Sequence, residues 1–220
     1  MNENGFYLRE ELLGFGFKSL GEDVNISRKA SIYGAELMTI GNHVRIDDFC
    51  ILSGHVKLGH YVHISAWSGL YGRYGIDVGD FCGVSPRSIL LSASDDFSGE
   101  FMVSPMVPEA LTHLTTGTVV LKNYCQVGAG SVVMPGAVFH EGAVCGAMSF
   151  VNRSLEAWTV NAGIPCRRLK KRSNRAKELS LTIEDYRRNM QYKQQITRGG
   201  VKSANSENFR IRFCGRGIEL

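Results

Sequence analysis

Between residues 121 and 151 an apolar residue returns at every sixth position: Leu121, Val127, Val133, Phe139, Cys145 and Val151. A small residue stands four places after each of the first five, at Cys125, Ser131, Ala137, Ala143 and Ser149. A repeat of six matches neither the 3.6-residue turn of an α-helix nor the two-residue alternation of a strand. It matches a parallel β-helix of hexapeptide repeats, in which each short flat face sends one apolar side chain inward and then turns at a small residue.

The period extends upstream through Leu20, Ile26 and Ile32, slips by two residues, and continues through Ile40, Ile46, Leu52, Leu58, Ile64 and Leu70. A second slip precedes Val78, Val84 and Leu90. Three repeats close one triangular coil, so these positions are expected to stack in three columns. The slips, at 34–37 and 73–76, read as small outward bulges at corners. After Leu90 the period breaks and resumes at Leu121. A solenoid can extend one long loop without disturbing its layers, and loops of this length are usually functional. Substrate contacts are therefore expected in the insertion, about residues 91–118.

The other segments follow from this frame. Residues 1–19 are a lead-in that caps the first coil, with one or two helical turns at Arg9–Leu13 before Gly14. The β-helix occupies 20–165. A basic segment and a C-terminal helix fill 166–198, with Thr182 and Asp185 as a capping pair and Ile183, Tyr186 and Met190 on one helical face. The tail, 199–220, yields no structural expectation. Across 220 residues, 44% of them hydrophobic, there is material for one sizeable core and an appendage. Twenty-five glycines suit a chain that turns every few residues. The +4 net charge is concentrated in Arg167, Arg168, Lys170, Lys171, Arg172, Arg175 and Lys177, which suits the phosphates of an anionic partner.

The N-terminus has no basic start followed by an apolar run, and eighteen apolar residues never run together. The expectation is a cytoplasmic protein with no membrane insertion. Of six cysteines, Cys50, Cys82 and Cys125 take the small slot of the repeat and Cys145 its apolar slot, with no CxxC spacing. They are expected to be small buried hydrophobes rather than disulfide partners or metal ligands.

The columns, the break at SASDDFSGE followed by Pro105 and Pro108, the resumption VGAGSVVMPG and the ending SLEAWTVNAGIPCRRLKKR together resemble the left-handed β-helix acyltransferases. The nearest branches are the N-acyltransferases of nucleotide-linked 4-amino-4,6-dideoxyglucose and the galactoside acetyltransferases. The resemblance covers about residues 6–175. It implies an all-β, left-handed parallel β-helix with a long inserted loop and a C-terminal α-helix. It also implies a homotrimer with active sites between neighbouring β-helices, acyl-CoA lying along the coils, and no metal or nucleic acid.

Within that resemblance, backbone amides at the bulk-free turns Gly128, Ala129, Gly130, Gly146 and Ala147 would pair with pantetheine, while Ser131 and Ser149 point inward. Arg167, Arg168 and Lys170 would meet the CoA phosphates. In the galactoside branch a histidine base stands where this chain reads Ser94, Asp95 and Asp96. Its replacement favours an amine acceptor, which needs only to be neutral and to lose a proton after attack. Asp95 or Asp96, with Glu100, would hold the amine and relay that proton. Ser85 would bond the amine or the tetrahedral oxyanion.

His63, pointing out of the coil before the inward Ile64, is the reserve base. His43, His55 and His140 are expected to be solvated at turns, and His113 lies in the insertion. Trp67, Tyr71, Tyr74 and Phe97 are expected near the site, stacking on sugar or base or filling a subunit seam. The expected reaction moves an acetyl or short acyl group from acetyl-CoA or another acyl-CoA to the amino group of a nucleotide-linked amino-deoxysugar, for surface polysaccharide synthesis. The alternatives are a sugar O-acetyltransferase and a zinc enzyme like the γ-carbonic anhydrases, although His55, His60 and His63 come too early to face a second histidine pair.

Overall fold

Stacked short strands make the three columns. In a computed structural model that describes residues 5–183, 186 and 187, the first face carries Leu20, Ile40, Leu58, Val78, Leu121, Phe139 and Leu155 inward. The second carries Ile26, Ile46, Ile64, Val84, Val127 and Cys145, and ends on the buried Asn161. The third carries Ile32, Leu52, Leu70, Leu90, Val133 and Val151. Every pairing between successive coils is parallel, and nearly all inward side chains are fully buried. Each coil is named here for its first-face residue.

The first and third faces merge into one ten-stranded sheet because strands Ile51–Leu58 and Gly69–Val78 run round the corner without a turn. The slips fall at this corner. One is a single 3-10 turn, Ala35–Leu37, entered through Gly34 at φ 80°, and it buries Ala35 and Met38 rather than pointing wholly outward. The other shifts the register between Gly54 and Val56 and leaves Arg73 and Tyr74 exposed. The insertion leaves from the same corner. Its base is an antiparallel pair, Ala93–Asp95 with Leu114–Thr116, and between the two strands the loop makes an exposed 3-10 turn at Glu109–Leu111.

The other two corners use the left-handed region of φ, where a side chain with a Cβ is strained. Bulky residues occupy it nonetheless. At the first corner these are His43, Tyr61, Phe81, Tyr124 and Trp158, with φ between 53° and 64°. Their rings stack coil on coil, at centroid distances of 4.6, 4.8, 5.3 and 5.9 Å. The ladder skips the Phe139 coil, where Gly142 stands: a Cβ there would lie 2.4 Å from the Trp158 ring. Stacking and one backbone hydrogen bond per coil offset the local strain. His43 therefore does not sit solvated at a turn. It forms the first rung and bonds Asp23 at 2.8 Å.

The small slots hold what the core has room for. Ser131 and Ser149 point inward, both donating to the Gly146 carbonyl, at 3.1 and 2.8 Å. The five cysteines among the described residues are buried and unbridged. Burial pushes the Cys50 and Cys145 thiols up, which keeps them protonated and unreactive. Helix α1, Arg9–Leu13, packs Leu12 into the end of the core.

Beyond the last coil the basic residues themselves form a strand, Arg167–Lys171, antiparallel to Thr159–Ala162 on the second face. A second helix, α2, spans Arg175–Ser180. The described residues from Lys177 on fall in a second unit. There Tyr186 N–H donates to the Thr182 carbonyl at 3.0 Å, one α-helical turn, and the rest of the helix expected up to residue 198, with Asp185 and the tail, lies outside the described residues.

Candidate active site

The corner between the second and third faces brings Ser85 and the cofactor candidates into one line. Successive coils place Ser27, Asp47, Ser65, Ser85, Gly128 and Gly146 at equivalent positions, each one strand spacing from the next. Ser85 is half-buried and its backbone N–H donates to Val127. Its hydroxyl oxygen accepts a long, 3.5 Å hydrogen bond from Gln126 Nε2, which leaves the hydroxyl hydrogen for another acceptor. Gln126 was not among the expected residues. Its place as the outward neighbour of inward Val127, directly above Gly83, is the signal that marks it.

Gly128 has a purely internal reason for being glycine. A Cβ there would lie 2.4 Å from the Gly146 carbonyl carbon and 2.5 Å from the Ala147 nitrogen, so the missing side chain makes room for the next coil rather than for a ligand. Ala129 and Ala147, at the tip of the same corner, are exposed, and they form the open surface of this stretch.

His63 lies one coil before Ser85 on the second face, but its ring turns the other way. Its Nε2 bonds Asp47 Oδ2 of the preceding coil at 2.7 Å, and Arg45 Nε donates to Asp47 Oδ1 at 2.7 Å. Burial raises Asp47, yet the hydrogen bonds from Arg45 and His63 outweigh it and hold the carboxyl below the usual carboxylate range.

The acidic candidates differ among themselves. Asp96 is tied down locally: it accepts from Ser98 N–H at 3.0 Å, Ser98 Oγ–H at 2.8 Å and Gly99 N–H at 3.1 Å. The Ser98 hydroxyl first, then the two N–H groups, hold its carboxyl below the usual range. Asp95 is exposed at the end of a hairpin strand, and its carboxylate has no partner among the described residues. Glu100 is exposed, its backbone N–H on Ser98 Oγ.

Within one chain the insertion and Ser85 do not meet. Ser85 opens the third face of the Val78 coil and Asp95 follows its end, with strand Ile89–Leu91 between them. At about 3.3 Å per residue, the stretch from Ser88 to Ser92 alone spans roughly 13 Å. Trp67, Tyr71, Tyr74 and Phe97 are likewise dispersed. Trp67 is at the Ser85 corner, Tyr71 and Tyr74 at the opposite one, and Phe97 is 90% exposed in the insertion.

The basic segment lies further along the second face. Arg168 pairs with Glu156 at 2.8 Å, and Arg172 donates to the Tyr124 and Gly142 carbonyls at 2.6 and 2.9 Å over the Trp158 ring. A cavity of about 290 Å³ opens beside them, lined by Glu156, Trp158, Thr159, Arg168, Lys171 and Arg172. Arg167 and Lys170 stand exposed on the same strand, outside the cavity. Among the described residues no three His, Cys, Asp or Glu side chains gather as a metal would require, and no helix is long and apolar enough to cross a membrane.

No protein-family model matches this sequence. Individual proteins do. A dTDP-4-amino-4,6-dideoxy-D-glucose acyltransferase of Escherichia coli is 42% identical over 177 residues, which cover 79% of this chain and 92% of the relative. The chain belongs to the N-acyltransferases of nucleotide-linked amino sugars. Structures of AntD, an N-acyltransferase from Bacillus cereus, superpose on this acyltransferase at 44% identity. One, in complex with dTDP and 3-hydroxybutyryl-CoA, covers 86% of this chain and 99% of its own, with a TM-score of 0.80. Another, in complex with dTDP-4-amino-4,6-dideoxyglucose and coenzyme A, covers 84% and 100%, with a TM-score of 0.82. The acyltransferase is thus a left-handed β-helix of about seven turns and a CoA-dependent enzyme.

Proposed function

We propose that this enzyme transfers an acetyl or short acyl group from acyl-CoA to the 4-amino group of a dTDP-linked 4-amino-4,6-dideoxyglucose, in the cytoplasm, as a step toward a surface polysaccharide. The observation that carries this reading is the combination of a half-buried Ser85 with an exposed Asp95 whose carboxylate has no partner among the described residues. Among AntD structures are variants of a serine and of an aspartate ten positions later. Ser85 and Asp95 stand the same ten positions apart, whereas Asp96 does not.

In this mechanism the neutral amine attacks the thioester carbonyl carbon. A C–N bond forms, the C–S bond breaks, and the CoA thiolate leaves. Ser85 Oγ–H, its lone pair occupied by Gln126, donates to the oxyanion, and the Asp95 carboxylate accepts the proton that the nitrogen loses. Since Ser85 and Asp95 lie at opposite ends of one face, the two come from different protomers of a homotrimer. The exposed apolar insertion, with Phe97 and Met106 each 90% accessible, supports a neighbour packed against it. CoA would run from Ser85 past Ala129 and Ala147 toward Arg167, Arg168, Lys170 and Lys171. Residues 20–165 are then the catalytic body, and the insertion at about 91–118 reaches a neighbour's site.

The test is thiol release from acetyl-CoA and 3-hydroxybutyryl-CoA, with dTDP-4-amino-4,6-dideoxyglucose set against the sugar bearing a 4-hydroxyl. Turnover with the amine alone is expected. Equal turnover with the hydroxyl sugar would establish O-transfer instead, and no turnover with either would remove the reading.

A further inference from the structure

Every other described glycine of this chain either adopts a positive φ or would bring a Cβ closer than 3.4 Å to a neighbouring atom. Gly83 does neither. Its backbone is ordinary β-strand, paired in parallel with His63 on one side and Gln126 on the other. A Cβ built on it would meet only the Gln126 side chain, at 3.9 Å from Cγ and 4.0 Å from Cδ. Neither backbone conformation nor coil stacking therefore calls for glycine here. What the missing side chain leaves clear is the path of the Gln126 stem.

That path leads to Ser85. Gln126 is in register with Gly83, and Ser85 stands two residues further along the preceding coil, so the two are diagonal neighbours. Strand spacing and rise put their backbones roughly 8 Å apart, a span that a long side chain can cross. Gln126 crosses it over Gly83 and ends with Nε2 donating to Ser85 Oγ at 3.5 Å. His63, the other neighbour of Gly83, does not compete for this contact, because its ring is held by Asp47. A serine hydroxyl carries one hydrogen and two lone pairs and rotates to suit its surroundings. With a donor on one lone pair, Ser85 cannot turn its hydrogen toward Gln126, and polarisation of the oxygen makes that hydrogen a better donor. The bond is long in the free enzyme, as such contacts often are before substrate closes a site.

We infer that Gln126 is a positioning residue for the reaction: it aims the Ser85 hydroxyl hydrogen at the oxyanion, and Gly83 is bare so that Gln126 can reach across. This deepens the functional reading above and rests on the role of Ser85 in it. Gln126 acts only through Ser85, and its removal misdirects the hydroxyl without removing it.

Steady-state kinetics of thiol release tests it, on the wild-type chain, Gln126→Ala, Gln126→Glu, Gly83→Val, Ser85→Ala and the double variant Ser85→Ala with Gln126→Ala, each checked for folding by thermal unfolding. Gln126→Ala is expected to lower kcat by about tenfold while KM for both substrates stays as in wild type. Gln126→Glu keeps the length of the side chain but presents a carboxylate that accepts the Ser85 hydrogen, so it should fall below Gln126→Ala. Gly83→Val puts a branched side chain where the Gln126 stem lies, and should lose kcat as Gln126→Ala does. In the Ser85→Ala background, Gln126→Ala should cost nothing further. An additive loss in the double variant would overturn the inference. So would Gln126→Glu working as well as wild type, or a loss confined to KM, which would make Gln126 a substrate contact. If Gln126→Ala fails to fold, the near-isosteric Gln126→Glu decides. No turnover by the wild-type chain, or wild-type rates in Ser85→Ala, would fail the functional reading itself. That outcome is distinct from an impaired Ser85→Ala beside an unimpaired Gln126→Ala, which overturns the inference alone.

Discussion

Asp95 and Asp96 are adjacent and chemically alike, but their surroundings separate them. Asp96 commits its oxygens to Ser98 and Gly99, while the Asp95 carboxylate, at the end of its strand, has no partner among the described residues. Replacing Asp95 by Asn is expected to lower kcat/KM by at least about tenfold with assembly intact, whereas Asp96→Asn should stay within a few-fold of wild type. Removing the Ser85 hydroxyl with Ser85→Ala should cost about a hundredfold in kcat if it serves the oxyanion. Steady-state kinetics on purified variants checks all three. Asp47 invites a different measurement. Its depressed pKa means that its bonds to Arg45 and His63 stabilise the fold fully above the ordinary carboxylate value of 3.8 and progressively less as pH falls through the lowered one. Asp47→Asn should therefore unfold more easily than wild type at neutral pH, by no more than about 1 kcal/mol because both partners, Arg45 and His63, are half exposed. The gap should close on acidification, as thermal unfolding across pH would record.

The strands show which parts of the architecture can be read in one dimension. Inward positions are legible because each column accepts only one kind of side chain, and the same eighteen residues named by the six-residue period line the core. Outward partners are harder. The contact of Gln126 with Ser85, and of His63 with Asp47, depends on which residues of successive coils share a column, and each two-residue slip moves that count. The ring ladder is hidden for another reason: left-handed φ ordinarily suggests Gly or Asn, not Tyr, Phe or Trp. The strand formed by Arg167–Lys171 is masked by its charge, since five exposed residues carry no apolar alternation. Close coil stacking makes its own prediction. Gly128→Ala would drive a Cβ into the Gly146 backbone, and should destabilise the fold by about 1–3 kcal/mol in denaturant unfolding.

At the level of the assembly, a site divided between protomers has a signature that no single-chain site shares. Ser85→Ala and Asp95→Asn, each strongly impaired alone, should complement one another when unfolded together and refolded as mixed trimers. Random mixing leaves about a quarter of the interfaces with both groups intact, so about a quarter of wild-type activity should return. No recovery would place both groups on one chain and end the shared-site reading.

The regular strand spacing carries an implication for redesign. Every coil between Ser85 and the basic strand adds one increment of about 4.8 Å, which makes the solenoid a molecular gauge for the arm of its thioester donor. Splicing one more eighteen-residue turn in after Val133 would lengthen that gauge by a single notch, and a donor whose tether is longer to match should then be favoured over the natural one.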